Sequence, residues 1–252
     1  MTRPAILVTG AADRIGRAIA ERFGGSGWHV VIHHRHHPAE AEALAARLPS
    51  AEVVSFDLAD RAGMAQTVAD LAARLPDWRA LACNACMFRP DWPQAVDLAV
   101  WHEVMEANLL GNVELARLYL AHAVAPAGRR VLNLLDQKLA NLNPDFFSYT
   151  VGKAGHAAAG AMLAQTLAAP DKLVSLSPGN ILPSHDQTEA EFALSSRLNL
   201  LGRTTSAADI ADAAFMLLTG PVANGTHLFV DGGQHMVPQR RDVLYLVREE
   251  PA

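Results

Sequence analysis

Short runs rich in β-branched and apolar residues alternate with longer helix-forming stretches from the fifth residue nearly to the last. No other feature constrains the fold as strongly. Alternating β-α units bury their apolar faces best around a parallel sheet covered on both sides. The runs predict seven strands, at 5–9, 29–33, 51–56, 80–83, 130–134, 173–176 and 227–230, and helices at 14–25, 39–48, 62–75, 101–124, 149–168, 189–198 and 207–218. No repeat, charge block or Ser/Gly linker separates them, so one doubly wound α/β domain over 1–252 is expected, with 238–252 as a C-terminal extension. With 50% hydrophobic and only 19% charged residues, the chain has the apolar content that a sheet buried on both faces requires.

Charge narrows the partners. Lys and Arg total 21 against 26 Asp and Glu, a net charge of −5, so nothing favours nucleic acid or an anionic membrane surface. Two cysteines make no disulfide framework and suit a reducing compartment. The early apolar run at 5–8 is too short for a signal-peptide core or a membrane span. A soluble cytoplasmic protein acting on a small molecule is the expectation.

The first strand runs into Val8-Thr9-Gly10-Ala11-Ala12-Asp13-Arg14-Ile15-Gly16. Such a strand-to-helix turn offers backbone N–H groups and a helix N-terminus to a phosphate, with Gly10, Arg14, Ile15 and Gly16 as candidate contacts. A plain structural turn is the alternative. The second strand ends in His33-His34-Arg35-His36-His37, with no acid to bind ribose hydroxyls. Arg35 and His34 instead suit a ribose 2′-phosphate, predicting NADP(H) rather than NAD. Consecutive histidines at a strand end point in alternate directions, which disfavours a metal site; a solvated turn stays open. Cys83-Asn84-Ala85-Cys86 lacks the second ligand pair of a zinc site and closes a strand rather than opening a helix, which disfavours a redox pair. Both cysteines are read as lining the floor of a cofactor site.

Tyr149 and Lys153 are spaced to share one helix face. An ammonium there would favour phenolate and lower the tyrosine pKa. Gly152, Gly155 and Gly160 weaken that helix by about 1 kcal/mol each, a cost that close packing against cofactor, sheet or another subunit would explain. Asp136 follows the fifth strand, at the sheet's ligand-binding end, and reads either as a catalytic acid or as part of an exposed turn.

Together these residues resemble the short-chain dehydrogenase/reductase family over nearly the whole chain, which implies a Rossmann-type sheet and an oxidoreductase. Thr9-Gly10 through Gly16 is similar to the family's phosphate turn, Asp57-Leu58 to its adenine-side pair, and Asn84-Ala85, followed by Cys86, to its cofactor-floor stretch. Asn108 is similar to the asparagine that supports the catalytic lysine through water, Tyr149 and Lys153 to the active-site pair, Pro178-Gly179 with Ile181 to the nicotinamide-side turn, and Asp231-Gly232-Gly233 to the motif after the last strand. Three departures point further: Arg14 where most members have Gly, Phe88 after the floor stretch, and Asp136 where most have Ser. These resemble pteridine and dihydromonapterin reductases, in which the aromatic and the nicotinamide sandwich a pterin while the arginine and aspartate meet its polar edge. Cys83 and Cys86 depart from that pattern.

The resemblance implies NADPH-dependent reduction of a 7,8-dihydropterin, with Asp136 and Tyr149 delivering the proton, Lys153 on the nicotinamide ribose, and Arg14, Phe88, Asp136 and Tyr149 contacting substrate. An ionised Asp136 suits protonation of a C=N nitrogen better than a carbonyl oxygen gaining negative charge. Reduction of a sugar, steroid or acyl carbonyl is the alternative, with a dihydrofolate side activity or a non-catalytic NADPH-binding protein behind it. Residues 183–199 are expected to form a lid over the substrate. A homotetramer is expected from the family and from the small-residue helix face, with Leu244, Tyr245, Leu246 and Val247 of the extension docking on a neighbour.

Overall fold

A computed structural model of the chain describes residues 2–184 and 186–249. His185 within the expected lid, Met1, and residues 250–252 of the extension lie outside the described residues. In chain order the elements are β1 (Ala5–Val8), α1 (Arg14–Gly24), β2 (His29–His34), α2 (Pro38–Ala45), β3 (Ala51–Ser55), α3 (Arg61–Arg74), β4 (Trp78–Cys83) and α4 (Leu98–Met105). A π-helical turn (Glu106–Gly111) leads into α5 (Asn112–His122), followed by β5 (Arg130–Leu134), α6 (Phe147–Gln165), β6 (Lys172–Pro178), α7 (Glu189–Ser195), α8 (Ala207–Thr219), β7 (His227–Val230) and α9 (Val243–Glu249).

The strands form one parallel sheet of seven in the order β3-β2-β1-β4-β5-β6-β7, as the alternation predicts. Side chains alternate across it. Ile6, Val8, Val30 and Ile32 pack beneath α1, α2 and α8, while Leu7, Val31, Leu81 and Val131 pack beneath α3, α5 and α6. Both faces are therefore core, which is why β1 reads as an unbroken apolar run. The strand order reverses between β1 and β4, and the crevice beyond their carboxyl ends is where such sheets bind ligands. Among the described residues no helix is long and apolar enough to cross a membrane.

Three expectations are corrected. The predicted helix 101–124 is α4 and α5 separated by the π-helical turn. A residue added to a helical turn re-aims the side chains around it, and here it brings Asn108 and Asn112 inside, at 0% and 1% exposure. The three glycines of α6 serve the chain's own packing. A Cβ on Gly152 would stand 3.1 Å from Asn108 Cβ, one on Gly155 2.9 Å from Leu109 Cδ2, and one on Gly160 2.5 Å from Asn133 Nδ2. Those three glycines therefore answer to the π turn and the sheet, while Ala154, Ala158 and Ala161 of the same helix are exposed. Finally, the extension turns back onto its own chain. Leu244 is buried against Phe146 and Tyr149, with Tyr245 packed alongside, rather than being held out for a neighbour.

Candidate active site

The ends of β1 and β4 are held together by hydroxyl and amide groups. Thr9 Oγ1 accepts from the N–H groups of Asn84 and Ala85, both at 2.9 Å, while Asn84 Nδ2 donates to Thr9 O at 2.8 Å. Gly10 takes φ +62°, and a Cβ on Gly16 would collide with the Gly10 carbonyl and lie 2.7 Å from Asn84 Nδ2. The backbone is thus pressed into a tight cradle that only glycine permits, with the N-terminus of α1 facing it, and this fits a dinucleotide pyrophosphate. His33 completes the turn. Its Nδ1 accepts from Gly10 N–H at 3.1 Å and its Nε2 meets the Phe56 carbonyl at 3.0 Å, so the ring works as the neutral Nε2–H tautomer. Burial lowers its pKa to about 4, in keeping with that neutral state.

His34 is buried at the end of β2, and its Nδ1 has no partner among the described residues. Arg35 is exposed and reaches Asp57 Oδ2 at 3.4 Å. These groups stand at the rim where a ribose phosphate would lie, with Asp57 balancing the guanidinium. Leu58 packs beneath Gly111 of the π turn. Pro178 closes β6 beside Val230, and Ile181 joins the core under α1 and α8. Of the Cys pair, Cys86 is exposed next to the cleft. Cys83 is instead buried in the core beneath α5, and burial pushes its thiol up to about 12. It lines no cofactor floor, and an inert, buried thiol makes no redox couple with an exposed one.

Arg14 opens α1 with φ +54°, a left-handed backbone that costs a non-glycine residue about 1–2 kcal/mol. It keeps the geometry of the glycine it replaces and adds a guanidinium, whose Nη2 donates to Pro183 O at 3.0 Å across the crevice. Phe146, just before α6, is also left-handed, at φ +52°. Two strained residues on one crevice mark it as a site where structure serves chemistry.

At the centre, Tyr149 Oη donates to Asp136 Oδ2 at 2.7 Å. Asp136 is fixed on two further sides: its Oδ1 accepts from Lys138 N–H at 2.8 Å, and its main-chain carbonyl accepts from Ser177 Oγ at 3.1 Å. Burial and the adjacent Asp136 charge raise the Tyr149 pKa well above its ordinary value. This reverses the expected lowering by Lys153. The ammonium stands 5.8 Å from the phenol ring centroid and donates to Leu134 O at 2.5 Å, so the nearer carboxylate and the loss of solvent dominate. Tyr149 is accordingly a held proton donor rather than a phenolate. Asn108 uses its whole carboxamide on the loop after β4, accepting from Met87 N–H at 2.6 Å and donating to Met87 O at 2.7 Å.

That loop carries Phe88. Its ring stacks on Phe146, with centroids 4.1 Å apart and planes at 21°, and meets Tyr149 edge-on at 4.7 Å. The crevice therefore gathers Arg14, Phe88, Asp136, Tyr149 and Lys153 from four separate segments.

Sequence reasoning passed over Asp91 and Phe146, and named Thr9 and His33 within their motifs without these bonds. Asp91 accepts from Ser148 N–H at 3.0 Å and so caps α6, whose own N-cap residue Phe146 offers no side-chain acceptor. A carboxylate 57 residues away leaves no local signal. His33 had one, since alternation turns it away from His34.

Comparison with known proteins agrees with this geometry. FolM alternative dihydrofolate reductase 1 from Brucella canis, solved in complex with NADP, is similar with a TM-score of 0.87 and 31% identity, covering 94% of this chain and 95% of that one. Its counterpart from Brucella suis, also in complex with NADP, gives a TM-score of 0.87 and 32% identity over 94% and 96%. A putative ketoacyl reductase 2 of the granaticin polyketide synthase from Streptomyces violaceoruber is 29% identical over 245 residues, 93% of this chain and 97% of that protein. The family model described as enoyl-(acyl carrier protein) reductase matches residues 10–235. With its glycine cradle, its Tyr149–Lys153 pair and that match, the chain belongs to the short-chain dehydrogenase/reductase family and is an oxidoreductase.

Proposed function

We propose that this NADP-dependent reductase acts on a pterin, converting a 7,8-dihydropterin such as dihydromonapterin or dihydrobiopterin to the tetrahydro form. The observation that carries the reading is the 2.7 Å contact of Tyr149 Oη with Asp136 Oδ2. A carbonyl oxygen gaining negative charge is repelled by a carboxylate at that point, whereas a ring nitrogen that must be protonated is served by it. The two Brucella enzymes solved with NADP, described as alternative dihydrofolate reductases, support both the cofactor and the ring system.

Bound NADPH supplies the hydride. The Gly10–Gly16 cradle and the α1 N-terminus hold its pyrophosphate, while His34 and Arg35 meet the 2′-phosphate, beside the Asp57-Leu58 pair on the adenine side. The Asn84–Cys86 stretch and the turn of Pro178, Gly179 and Ile181 enclose the nicotinamide end, and Lys153 binds its ribose. Phe88, backed by Phe146, gives the flat ring a stacking surface, and Arg14 meets its polar edge. Tyr149, its proton held against Asp136, delivers that proton to the ring nitrogen next to the carbon that gains hydride. Asp136 and Lys153 then direct reprotonation of Tyr149. Asn108 keeps the loop bearing Phe88 in register.

Carbonyl reduction, as named for the ketoacyl reductase relative, is the competing reading. The test is NADPH oxidation with 7,8-dihydromonapterin and 7,8-dihydrobiopterin beside a panel of ketones, aldehydes and β-ketoacyl thioesters. Rapid pterin-dependent oxidation with little carbonyl turnover is expected. The reverse pattern overturns the pterin assignment and leaves the family chemistry standing.

A further inference from the structure

Helix α9 and the segment before it join two regions of the substrate side. At the root, Arg241 Nε pairs with Asp145 Oδ2 at 2.8 Å, and the Asp242 N–H donates to the same oxygen at 2.7 Å. Asp145 directly precedes the left-handed Phe146. In the middle, Leu244 is seated on Phe146 and Tyr149. At the far end, Arg248 grips the segment after β6. Its Nε meets Glu191 Oε1 at 2.8 Å, its Nη1 meets Asp186 Oδ2 at 3.2 Å, and its Nη2 donates to the Asp186 carbonyl at 3.1 Å.

That segment needs such a grip. Within α7 only Ser195 is buried, and Leu194 is 63% exposed, so little apolar burial holds the helix down. An element of that kind opens at low free-energy cost unless polar ties restrain it. Asn180 and Gln187 tie the C-terminal end of α7 through Ser195, and Arg248 supplies the ties at its N-terminal end; through Leu244 it refers the position of α7 to the same two rings that back and flank Phe88.

We propose that Arg248 is a specificity-determining residue. By tying Asp186 and Glu191 to a helix seated on Phe146 and Tyr149, it sets the gap between residues 186–199 and the Phe88–Phe146 stack to suit a flat ring with a short substituent. The identity of that ring rests on the pterin reading; the clamp itself does not. Since Arg248, Asp186 and Glu191 are 31%, 49% and 25% exposed, salt weakens the clamp.

The experiment compares the full-length wild type with Arg248→Gln and Arg248→Lys. Amide hydrogen exchange over 186–199 is measured with NADPH bound. The ratio of kcat/KM for 7,8-dihydrobiopterin over the bulkier dihydrofolate is measured at low salt and at 1 M salt. Exposed pairs of this kind predict exchange about three- to tenfold faster in Arg248→Gln, with the ratio lowered by a similar factor through KM rather than kcat. NADPH affinity should be unchanged. High salt should bring the wild type to the variant's values and leave Arg248→Gln unaffected, with Arg248→Lys between them. Unchanged exchange and an unchanged ratio in Arg248→Gln overturn the clamp. Faster exchange in the variant with no pterin turnover by either protein supports the clamp and overturns the pterin reading.

Discussion

Replacing Asp136 by Asn keeps shape, removes one charge and turns one of its two acceptor atoms into a donor. Asp136 accepts from Tyr149 Oη on one oxygen, at 2.7 Å, and from Lys138 N–H on the other, whereas the single amide oxygen of Asn, used to cap the turn at Lys138, leaves its –NH2 facing Tyr149. What disappears is the whole charge-assisted bond from Tyr149. Hydrogen bonds to charged groups contribute about 1.5–3 kcal/mol, against about 1 for neutral pairs. If the carboxylate matters most while Tyr149 gives up its proton, losing it lowers kcat by about 10- to 150-fold on a dihydropterin. A second consequence concerns pH. Burial and the Asp136 charge both hold the Tyr149 pKa up, so removing the charge lowers it. A general acid must be protonated to act, and the alkaline fall in activity then moves to lower pH in Asp136→Asn. Steady-state rates from pH 6 to well above pH 10, with NADPH affinity by fluorescence as a control on the fold, measure both effects. Turnover within about threefold of wild type and an unmoved alkaline limb would refute the role given to the carboxylate.

Other positions give independent checks. Gly16→Ala puts a Cβ into the Gly10 carbonyl and 2.7 Å from Asn84 Nδ2, so NADPH affinity, read by fluorescence titration, should fall at least about 100-fold; near-normal affinity would mean the turn is not the pyrophosphate cradle. Arg14→Gly relieves a left-handed φ of +54°, and a gain of about 1–2 kcal/mol, offset by about 0.5–1 for glycine's entropy, should leave thermal stability equal or slightly higher while pterin KM rises; a clear loss of Tm contradicts the strain argument. His156 is buried with neither ring nitrogen paired among the described residues, and burial lowers its pKa to about 3 from an ordinary 6.5. The unfolded chain therefore binds a proton that the folded chain refuses, so stability is held above about pH 6.5 and lost as pH falls toward 3. Urea unfolding of His156→Leu should show a shallower loss of stability between pH 6.5 and 4 than the wild type; equal slopes would remove His156 from the acid response.

What could be read from the sequence alone is whatever repeats or acts locally. Short continuous apolar runs between helical stretches located seven strands with nearly the bounds found, because a strand buried on both faces must be apolar along its length. The glycine turn, the Tyr149–Lys153 spacing and the position of Asp136 after β5 were legible for the same reason, since each depends on backbone geometry over a few residues. Tertiary structure decided what depends on distant atoms. The break at Glu106–Gly111 is invisible to helical periodicity and follows from packing of the π turn beneath Leu58 and α6. The Asp91 cap on α6 and the Gly10–His33 bond join residues far apart in the chain. The direction of the Tyr149 pKa shift reversed because the sequence names both a lysine and an aspartate nearby, and only their distances and the burial around them decide which prevails. The extension turned inward for a similar reason: Leu244 requires cover, and only the folded crevice, with Phe146 and Tyr149 beneath it, shows that this chain supplies it.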